Sequence, residues 1–235
     1  MSDPGKYNRT NVDGSKIVFE WAVKNGVKRV VTASSAAVYG DTSPLPNTET
    51  AKYGGVSPYA FTKYEMEVIQ RGMVAKGLKS TALRFFNVFG PRQDPKSPYS
   101  GVISIFMDRA NKGTTMKIFG DGKASRDFIY VKDIAGALIK AMQTDNGGFE
   151  NFNVCHGEEM TITELADSIV ENFNSKSTIK YEDARAGDIV RSVCNPQKLN
   201  TVLGFKPKFS VKDGLAATQQ WFADMSKPAN TIKEL

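Results

Sequence analysis

A chain of 235 residues is long enough to bury a hydrophobic core and to form one compact unit or two closely packed lobes. With 40% hydrophobic and 24% charged residues, its composition is ordinary for a soluble globular protein, and no apolar run approaches the roughly 20 residues that span a bilayer. The amino terminus is polar and contains no apolar signal-peptide core, which predicts a cytoplasmic protein that does not bind membranes.

The formal net charge of +6 suits an anionic ligand. Nucleic acid is not predicted as a partner, because the Lys and Arg residues are scattered and no zinc-finger or RNA-binding signature occurs. His156 is the only histidine, which argues against a histidine-centred triad and excludes a multi-histidine metal site; no metal is predicted. Cys155 and Cys194 lack metal-type spacing and are expected to be buried free thiols, with one disulfide as the alternative.

The predicted elements of the first half alternate between helices and strands. Apolar residues at helical spacing predict a first helix that Asn25-Gly26 ends, and a β-branched run after it predicts a buried strand. A loop rich in Pro, Thr and Asn leads to a second long helix, which Gly77 ends. The predicted order is helix 12–24, strand 27–33, helix 58–76 and strand 80–88. This order is typical of a parallel α/β sheet.

The second half continues in the same way after a loop that runs to Gly101. Thr161 followed by Glu164 three residues later predicts a capping box at the start of one helix. The predicted elements are helix 102–111, strand 116–119, strand 127–131, helix 133–142, strand 152–155, helix 161–173 and helix 211–225.

Two groups of residues in the first half suggest catalysis. Ser34-Ser35 stands at the carboxyl end of a predicted strand, which is where ligands bind in open parallel sheets. Tyr59 and Lys63 lie four residues apart on one helix face, where the ammonium favours the phenolate and makes the tyrosine a usable general base. The Tyr-x-x-x-Lys spacing alone is weak and is more often a solvated helix face. A serine at the end of the preceding strand makes the pattern specific.

Arginines on predicted loops form a third group. They occur in Arg84 through Arg92, in Arg126-Asp127-Phe128 and in Arg185-Ala186-Gly187-Asp188. Arginines can clamp a diphosphate with bidentate, charge-assisted hydrogen bonds. Each one by itself is equally consistent with a surface residue.

These strings, together with Asn11-Val12-Asp13-Gly14 and with Ala33 through Gly40, resemble in their order the NAD-dependent nucleotide-sugar epimerase/dehydratase family of extended short-chain dehydrogenases. The resemblance extends from about Pro4 to Phe222 and is closest to UDP-glucose and UDP-N-acetylglucosamine 4-epimerases. It implies an α/β fold, with a Rossmann-type parallel sheet and a smaller α/β substrate-binding lobe. The implied dinucleotide-binding part is 1–90 and about 127–157, and the implied substrate part is 91–126 and 158–235.

The resemblance also implies a role for each matching residue. The implied catalytic residues are Ser35, Tyr59 and Lys63, and NAD would contact Asn11, Ser34, Tyr59, Lys63 and Phe86. The implied ligands of the nucleotide sugar are Ser35, Asn87, Arg92, Val102, Arg126, Arg185, Asp188 and Ser192.

The reaction that the resemblance favours is epimerisation through a 4-keto sugar. Dehydratases of the family place an Asp-Glu pair after the catalytic hydroxyl residue, and decarboxylases usually a Glu at the second of these positions. Ala36 and Ala37 stand here and cannot transfer protons. An epimerase, or else a simple reductase, is expected. Segment 92–103 resembles relatives that act on UDP-N-acetylhexosamines, and Ser192 would leave room for an N-acetyl group; UDP-glucose and UDP-galactose are the alternative.

The chain departs from the family in one respect. The family begins with a strand, a Gly-x-x-Gly-x-x-Gly turn and a helix that hold the NAD pyrophosphate, and no such string occurs in this sequence. We therefore expect a partial Rossmann sheet without its N-terminal strands, from a fragment, from a chain completed by another chain, or from a natural short form. A nucleotide-sugar-binding module without catalysis is the alternative function, and a structural protein a third. Relatives commonly dimerise through two long helices, which predicts a homodimer.

Overall fold

Parallel strands joined by helices make up the computed structural model, which describes residues 3–97, 100–145, 147–185 and 187–225. This confirms the predicted α/β class. The chain divides into two compact units, the first formed by Met1–Phe86, Ile134–Glu158 and Ser192–Lys206 and the second by Asn87–Asp133, Glu159–Arg191 and Pro207–Leu235. The functional division into dinucleotide-binding and substrate-binding parts stays a prediction.

The first unit contains a parallel sheet of three strands in the order β1-β2-β7. Its strands are β1 (Val30–Ser35), β2 (Ser80–Phe85) and β7 (Phe149–Val154). Ser35 pairs with Phe85, which pairs with Val154, so the three carboxyl ends lie at the same edge. Among the residues that the structure describes, no strand pairs with the other edge of β1.

Helices connect and flank these strands. They are α1 (Pro4–Tyr7), a π-helical segment (Asn8–Asp13), α2 (Gly14–Lys24), a 3₁₀ turn (Ala36–Tyr39), α3 (Pro58–Gly72), a second 3₁₀ turn (Met73–Lys76), α5 (Val131–Gln143) and a second π-helical segment (Leu199–Leu203). Ser57 caps α3 by accepting a hydrogen bond from the Ala60 N–H, and Pro58 follows as the first helical residue. The two long predicted helices are confirmed, although the first is preceded by helical turns from Pro4 onward.

The second unit is built from short strands and three helices. Its strands pair as β3 (Asn87–Phe89) with β6 (Phe128–Tyr130), β4 (Met116–Phe119) with β9 (Ile179–Glu182), and β10 (Arg191–Ser192) with β5 (Ser125–Arg126) and β8 (Met160–Thr161). Its helices are α4 (Val102–Lys112), α6 (Ile162–Phe173) and α7 (Val211–Met225). Phe106, Leu165 and Leu215 belong to its buried core. The predicted capping box of Thr161 and Glu164 is confirmed.

Three expectations are corrected. The predicted strand 80–88 is two strands, because β2 pairs with β7 whereas β3 pairs with β6. The two-residue strands β5, β8 and β10 were not predicted, since so short a strand shows no periodic pattern. The expectation of free thiols is wrong: Cys155 and Cys194, whose Cα atoms are 6.3 Å apart, form a disulfide. Within the described ranges, no helix has the length and apolarity that crossing a membrane requires.

Candidate catalytic and nucleotide-binding residues

The two serines at the end of β1 point in different directions. Ser34 is buried, and its hydroxyl donates a hydrogen bond to the Glu67 carboxylate on α3. Ser35 is half-buried and caps the 3₁₀ turn after the strand, its hydroxyl accepting a hydrogen bond from the Ala37 N–H at 3.2 Å. Because neighbouring side chains on a strand face opposite sides, only one serine faces the α3 carboxylate. Ser35 remains available to a ligand, whereas Ser34 is engaged in the interior.

Tyr59 and Lys63 lie one turn apart on α3, as their spacing predicts. The Lys63 Nζ atom is 5.9 Å from the centre of the Tyr59 ring. The same atom donates a hydrogen bond to the Ala33 carbonyl at 2.8 Å, which fixes the ammonium against the carboxyl end of β1. Burial lowers the pKa of Lys63. The Lys63 ammonium thus lies beside the Tyr59 ring, and the strand that holds it also carries Ser35.

The other predicted cofactor residues lie in the same unit. The Asn11 side-chain amide donates to the Thr62 hydroxyl at 3.0 Å, which ties the amino-terminal helical segment to α3. Tyr7, from α1, packs the edge of its ring on Tyr59 with centroids 5.9 Å apart. Phe86 follows β2 directly and is buried.

Sequence reasoning missed a buried ion pair behind these residues. Glu67 accepts hydrogen bonds from the Arg84 Nε atom at 3.0 Å and from Nη2 at 2.7 Å, and both side chains are almost fully buried. Arg84 also donates to the Tyr39 hydroxyl at 2.9 Å. Arg84 therefore serves the interior and does not bind a diphosphate. The available signal was the position of Glu67, one helical turn after Lys63 on the inner side of α3.

A cavity of about 890 Å³ lies within the second unit. Five of the predicted nucleotide-sugar ligands line it, namely Asn87, Val102, Arg126, Arg185 and Asp188. The guanidinium carbon of Arg185 is 3.4 Å from the centre of the Phe119 ring, and Arg126 Nη1 donates to the Ser125 carbonyl at 2.8 Å. The Asn87 amide donates to the Asp127 carbonyl at 3.0 Å. Stacking and hydrogen bonding hold these side chains at the cavity wall.

The wall also contains residues that sequence reasoning did not select. Lys117 and Lys123 add two cations to Arg126 and Arg185, and Asp121 adds a carboxylate to Asp188. The excess of positive charge suits an anion. The aromatic ring of Phe119 suits a flat ring system as a ligand. The sequence feature that could have identified Phe119 is its position at the end of the apolar strand 116–119, just before the Gly120-Asp121-Gly122 turn.

Three predicted ligands do not line this cavity, and one of them is Ser35 of the first unit, described above. Arg92 is exposed on a turn, in the left-handed backbone region at φ 71°. Ser192 is half-buried and is the last residue of β10, where the chain passes from the second unit to the first. Three residues of the predicted motifs lie outside the described residues. They are Ala186 and, in the segment that favoured UDP-N-acetylhexosamines, Pro98 and Tyr99.

Comparison with known proteins gives consistent matches along the chain. The model of the NAD dependent epimerase/dehydratase family matches residues 1–155. The UDP-glucose 4-epimerase of Mycolicibacterium smegmatis is 33% identical over 231 residues, covering 97% of this chain and 72% of its own length. The UDP-N-acetylglucosamine 4-epimerase of Methanobrevibacter ruminantium M1, solved with UDP-N-acetylmuramic acid, is 38% identical with a TM-score of 0.90, over 95% of this chain and 72% of that one. The UDP-glucose 4-epimerase of Thermotoga maritima, solved with UDP-glucose, is 34% identical with a TM-score of 0.91, over 96% and 73%.

Proposed function

The chain belongs to the NAD dependent epimerase/dehydratase family, and from this premise we propose that it epimerises a UDP-sugar at C4 through a 4-keto intermediate. The observation that carries the proposal is the Lys63 ammonium, which is held on the Ala33 carbonyl two residues before Ser35 and lies 5.9 Å from the centre of the Tyr59 ring. The 4-epimerases among the similar proteins, which act on UDP-sugars by name, support the same reaction.

The residues present fit the ribose and nicotinamide end of NAD. Lys63 offers an ammonium, held on the Ala33 carbonyl, for the ribose hydroxyls. Tyr59 offers a phenol beside Lys63, and Asn11 offers an amide that is bonded to Thr62 of the same helix. Ser34 and Phe86 are the other predicted NAD contacts. Both side chains are buried, so we assign them to the support of the site from the protein interior. When bound, NAD would supply the oxidised form that accepts a hydride from the sugar and the reduced form that donates it back.

The chain's own residues handle the proton. We assign Tyr59, as phenolate, to accept the proton of the sugar 4-hydroxyl and to return it after the keto sugar has turned over. Ser35 hydrogen-bonds the same oxygen, and Lys63 stabilises the phenolate. Ala36 and Ala37 follow Ser35 in the 3₁₀ turn and offer no acid or base for elimination of water, which favours epimerisation over dehydration.

The second unit would bind the nucleotide diphosphate. Arg126 and Arg185 are assigned to the diphosphate, because guanidinium groups form bidentate, charge-assisted bonds with phosphate oxygens. Asp188 is assigned to the ribose and Asn87 to the sugar diphosphate, with Val102 as an apolar wall. Arg92 is assigned to the substrate on the family resemblance alone.

The sugar is proposed to carry an N-acetyl group at C2. The support is the resemblance, in which bulk at the position of Ser192 restricts the 2-substituent, together with the small side chain that stands at this position. Turnover of UDP-glucose without turnover of UDP-N-acetylglucosamine would contradict this.

We also propose that the chain forms a homodimer. Ile17, Val18 and Trp21 of α2 are more than half exposed, and Phe61 and Val68 of α3 are nearly so. Exposed apolar side chains on two helices are typical of an interface. Light scattering of the parent chain and of Trp21→Glu tests this: a parent dimer that Trp21→Glu dissociates is expected, and a monomeric parent would contradict the proposal.

A cytoplasmic location is proposed from the substrate and cofactor, although a disulfide such as Cys155–Cys194 is rare in that compartment. Subcellular fractionation with a marker enzyme for each compartment is the direct test. Recovery with the cytoplasmic marker is expected, and recovery with an exported or membrane marker would contradict the location.

A second candidate function is the binding of a nucleotide sugar without turnover, which is supported by the candidate ligands Arg126, Arg185 and Asp188 in one cavity wall of the second unit. Calorimetric titration of the chain with NAD, with and without saturating UDP, separates the two. An epimerase is expected to bind NAD with a micromolar or lower Kd, about −8 kcal/mol or better, and to interconvert C4 epimers. UDP binding without NAD binding would support the binding module instead.

A further inference from the structure

One carboxylate joins all three strands of the small sheet in the second unit. Glu159 immediately precedes β8, Ser125 lies on the central strand β5, and Arg191 begins β10. The Glu159 carboxylate accepts hydrogen bonds from the Ser125 hydroxyl at 2.6 Å, from Arg191 Nε at 3.2 Å and from Arg191 Nη2. We call these three residues the Glu159 clasp.

The backbone alone holds this sheet weakly. Each of its strands is two residues long, which is below the length of ordinary strands. The backbone bond that joins β5 to the residue before β10 runs from the Ser125 N–H to the Val190 carbonyl at 2.9 Å. Side-chain bonds between the strands add to this attachment.

The Glu159 clasp is a partly exposed ion pair, with 54% of the Arg191 side chain and 30% of the Glu159 side chain exposed, that also includes a buried hydroxyl. Exposed pairs contribute little, since water competes and both side chains lose freedom. Here two N–H groups of one guanidinium meet one carboxylate, the geometry in which charge-assisted bonds are strongest. The third partner, Ser125, is 4% exposed, so its hydroxyl has little access to water. The hydrogen bonds from Arg191 and then Ser125 also lower the pKa of Glu159, which keeps the carboxylate charged.

One of the strands that the clasp ties, β5, carries a residue of the cavity wall, and the other, β10, directly follows wall residues in the chain. Arg126 is next to Ser125, and because neighbouring side chains on a strand face opposite sides, Ser125 meets Glu159 while Arg126 lines the cavity. Arg191, which begins β10, directly follows the wall residues Asp188, Ile189 and Val190. The Asp188 N–H donates to the Arg185 carbonyl at 3.3 Å, which connects these residues to Arg185.

We propose that Glu159 is a positioning residue for nucleotide-sugar binding: through Arg191 and Ser125 it fixes the segment bearing Arg185 and Asp188 relative to Arg126. Both guanidinium groups then meet the diphosphate of one ligand. The inference rests on the proposed function, from which it takes the identity of the ligand. Neither Glu159 nor Arg191 lines the cavity, so their effect on binding is indirect.

Titration of the full chain with UDP tests the inference. Glu159→Gln keeps the shape of the side chain and removes its charge, and it is expected to weaken UDP binding about fivefold at unchanged stoichiometry. The double variant Glu159→Arg with Arg191→Glu restores an ion pair and is expected to regain most of the affinity. Asp108→Asn is the matched control, because it breaks the Asp108–Lys112 pair on α4 of the same unit, away from the cavity wall.

Hydrogen exchange of the free chain provides a second measurement. The amides of residues 187–191 are expected to exchange faster in Glu159→Gln and at the parental rate in Asp108→Asn. Parental UDP affinity in Glu159→Gln would overturn the inference alone. So would fewer binding sites with an unchanged Kd, since that result means partial unfolding. Failure of the unsubstituted chain to bind UDP would overturn the proposed function, and the inference with it.

Discussion

The Glu67 carboxylate and the Arg84 guanidinium form a two-point ion pair in the interior of the first unit, with 2% and 5% of their side chains exposed. Glu67 also accepts the Ser34 hydroxyl, and Arg84 also donates to Tyr39. The pair thus joins α3 to β2 and, through Ser34, to the end of β1, where the candidate catalytic Ser35 lies. The pair therefore helps to hold β1, which carries Ser35, and α3, which carries Tyr59 and Lys63, in one arrangement.

Removal of one partner of this pair is expected to destabilise the protein strongly. Glu67→Gln should lower the free energy of unfolding by about 3–5 kcal/mol, because it leaves the Arg84 charge buried without a counter-charge. The double variant Glu67→Leu with Arg84→Met removes both charges and should lose much less. Urea unfolding measures both. If Glu67→Gln lost no more free energy of unfolding than the double variant, an unpaired Arg84 charge would not be the cause of the destabilisation.

Replacement of Tyr59 by Phe should abolish most turnover and leave UDP binding unchanged. The expected loss in turnover number is about 10²–10⁴-fold, the usual contribution of a positioned general base. Tyr64→Phe is the matched control on the same helix, since Tyr64 stacks on Tyr53 at 4.7 Å and has no assigned chemical role. An assay of UDP-sugar epimerisation measures the effect. Undiminished turnover in Tyr59→Phe would show that another group takes the proton.

Replacement of Arg126 by Ala should weaken UDP binding about 10- to 100-fold, because hydrogen bonds to a charged group contribute roughly 1.5–3 kcal/mol each. Arg109→Ala removes an exposed arginine of α4 that does not line the cavity and should bind UDP as the parent does. Calorimetry distinguishes the two variants. Equal losses in both would mean that overall charge, and not a specific contact, determines affinity.

Replacement of Ser192 by Leu should change the choice of sugar. A larger side chain is expected to reduce kcat/KM for UDP-N-acetylglucosamine at least about tenfold while kcat/KM for UDP-glucose stays within a few-fold, since a steric clash costs binding only to the bulkier substrate. The two substrates serve as controls for each other in one preparation. A parallel loss for both would indicate that Ser192 acts on folding or on the common part of the substrate.

The capping box of α6 predicts a measurable dependence of stability on pH. The Thr161 backbone N–H, and then its hydroxyl, lower the pKa of Glu164 below the ordinary 4.5. A lowered pKa means that the stabilisation is fully present above pH 4.5 and is lost as the pH falls through the folded-state value. The difference in free energy of unfolding between the parent and Glu164→Gln should therefore shrink on acidification.

The size of that difference at neutral pH is expected to stay below about 1 kcal/mol, as for other exposed caps. Glu171→Gln, on the same helix but outside the capping box, is the control. A constant difference between the parent and Glu164→Gln from neutral pH to pH 4 would contradict a role for the charge of the cap.

The sequence by itself determined the features that arise within one or two turns of chain. Helical spacing predicted α3 and α7, the capping box predicted the start of α6, and the four-residue spacing of Tyr59 and Lys63 placed them together on α3. Such features depend on neighbours three or four residues away, so the local pattern contains all the information that they need.

Only the tertiary structure decided which distant residues meet. Ser34 and Glu67, Glu67 and Arg84, Glu159 and Arg191, and Cys155 and Cys194 are separated by 17 to 39 residues. Their pairing depends on strand order and register, and a pattern of single residues does not encode either. Ser34 and Ser35 are adjacent in sequence and have the same side chain. Ser34 is nevertheless buried against the Glu67 carboxylate, whereas Ser35 is half-buried and available to a ligand. The physical reason is the pleat of β1 combined with the side of the sheet that α3 covers.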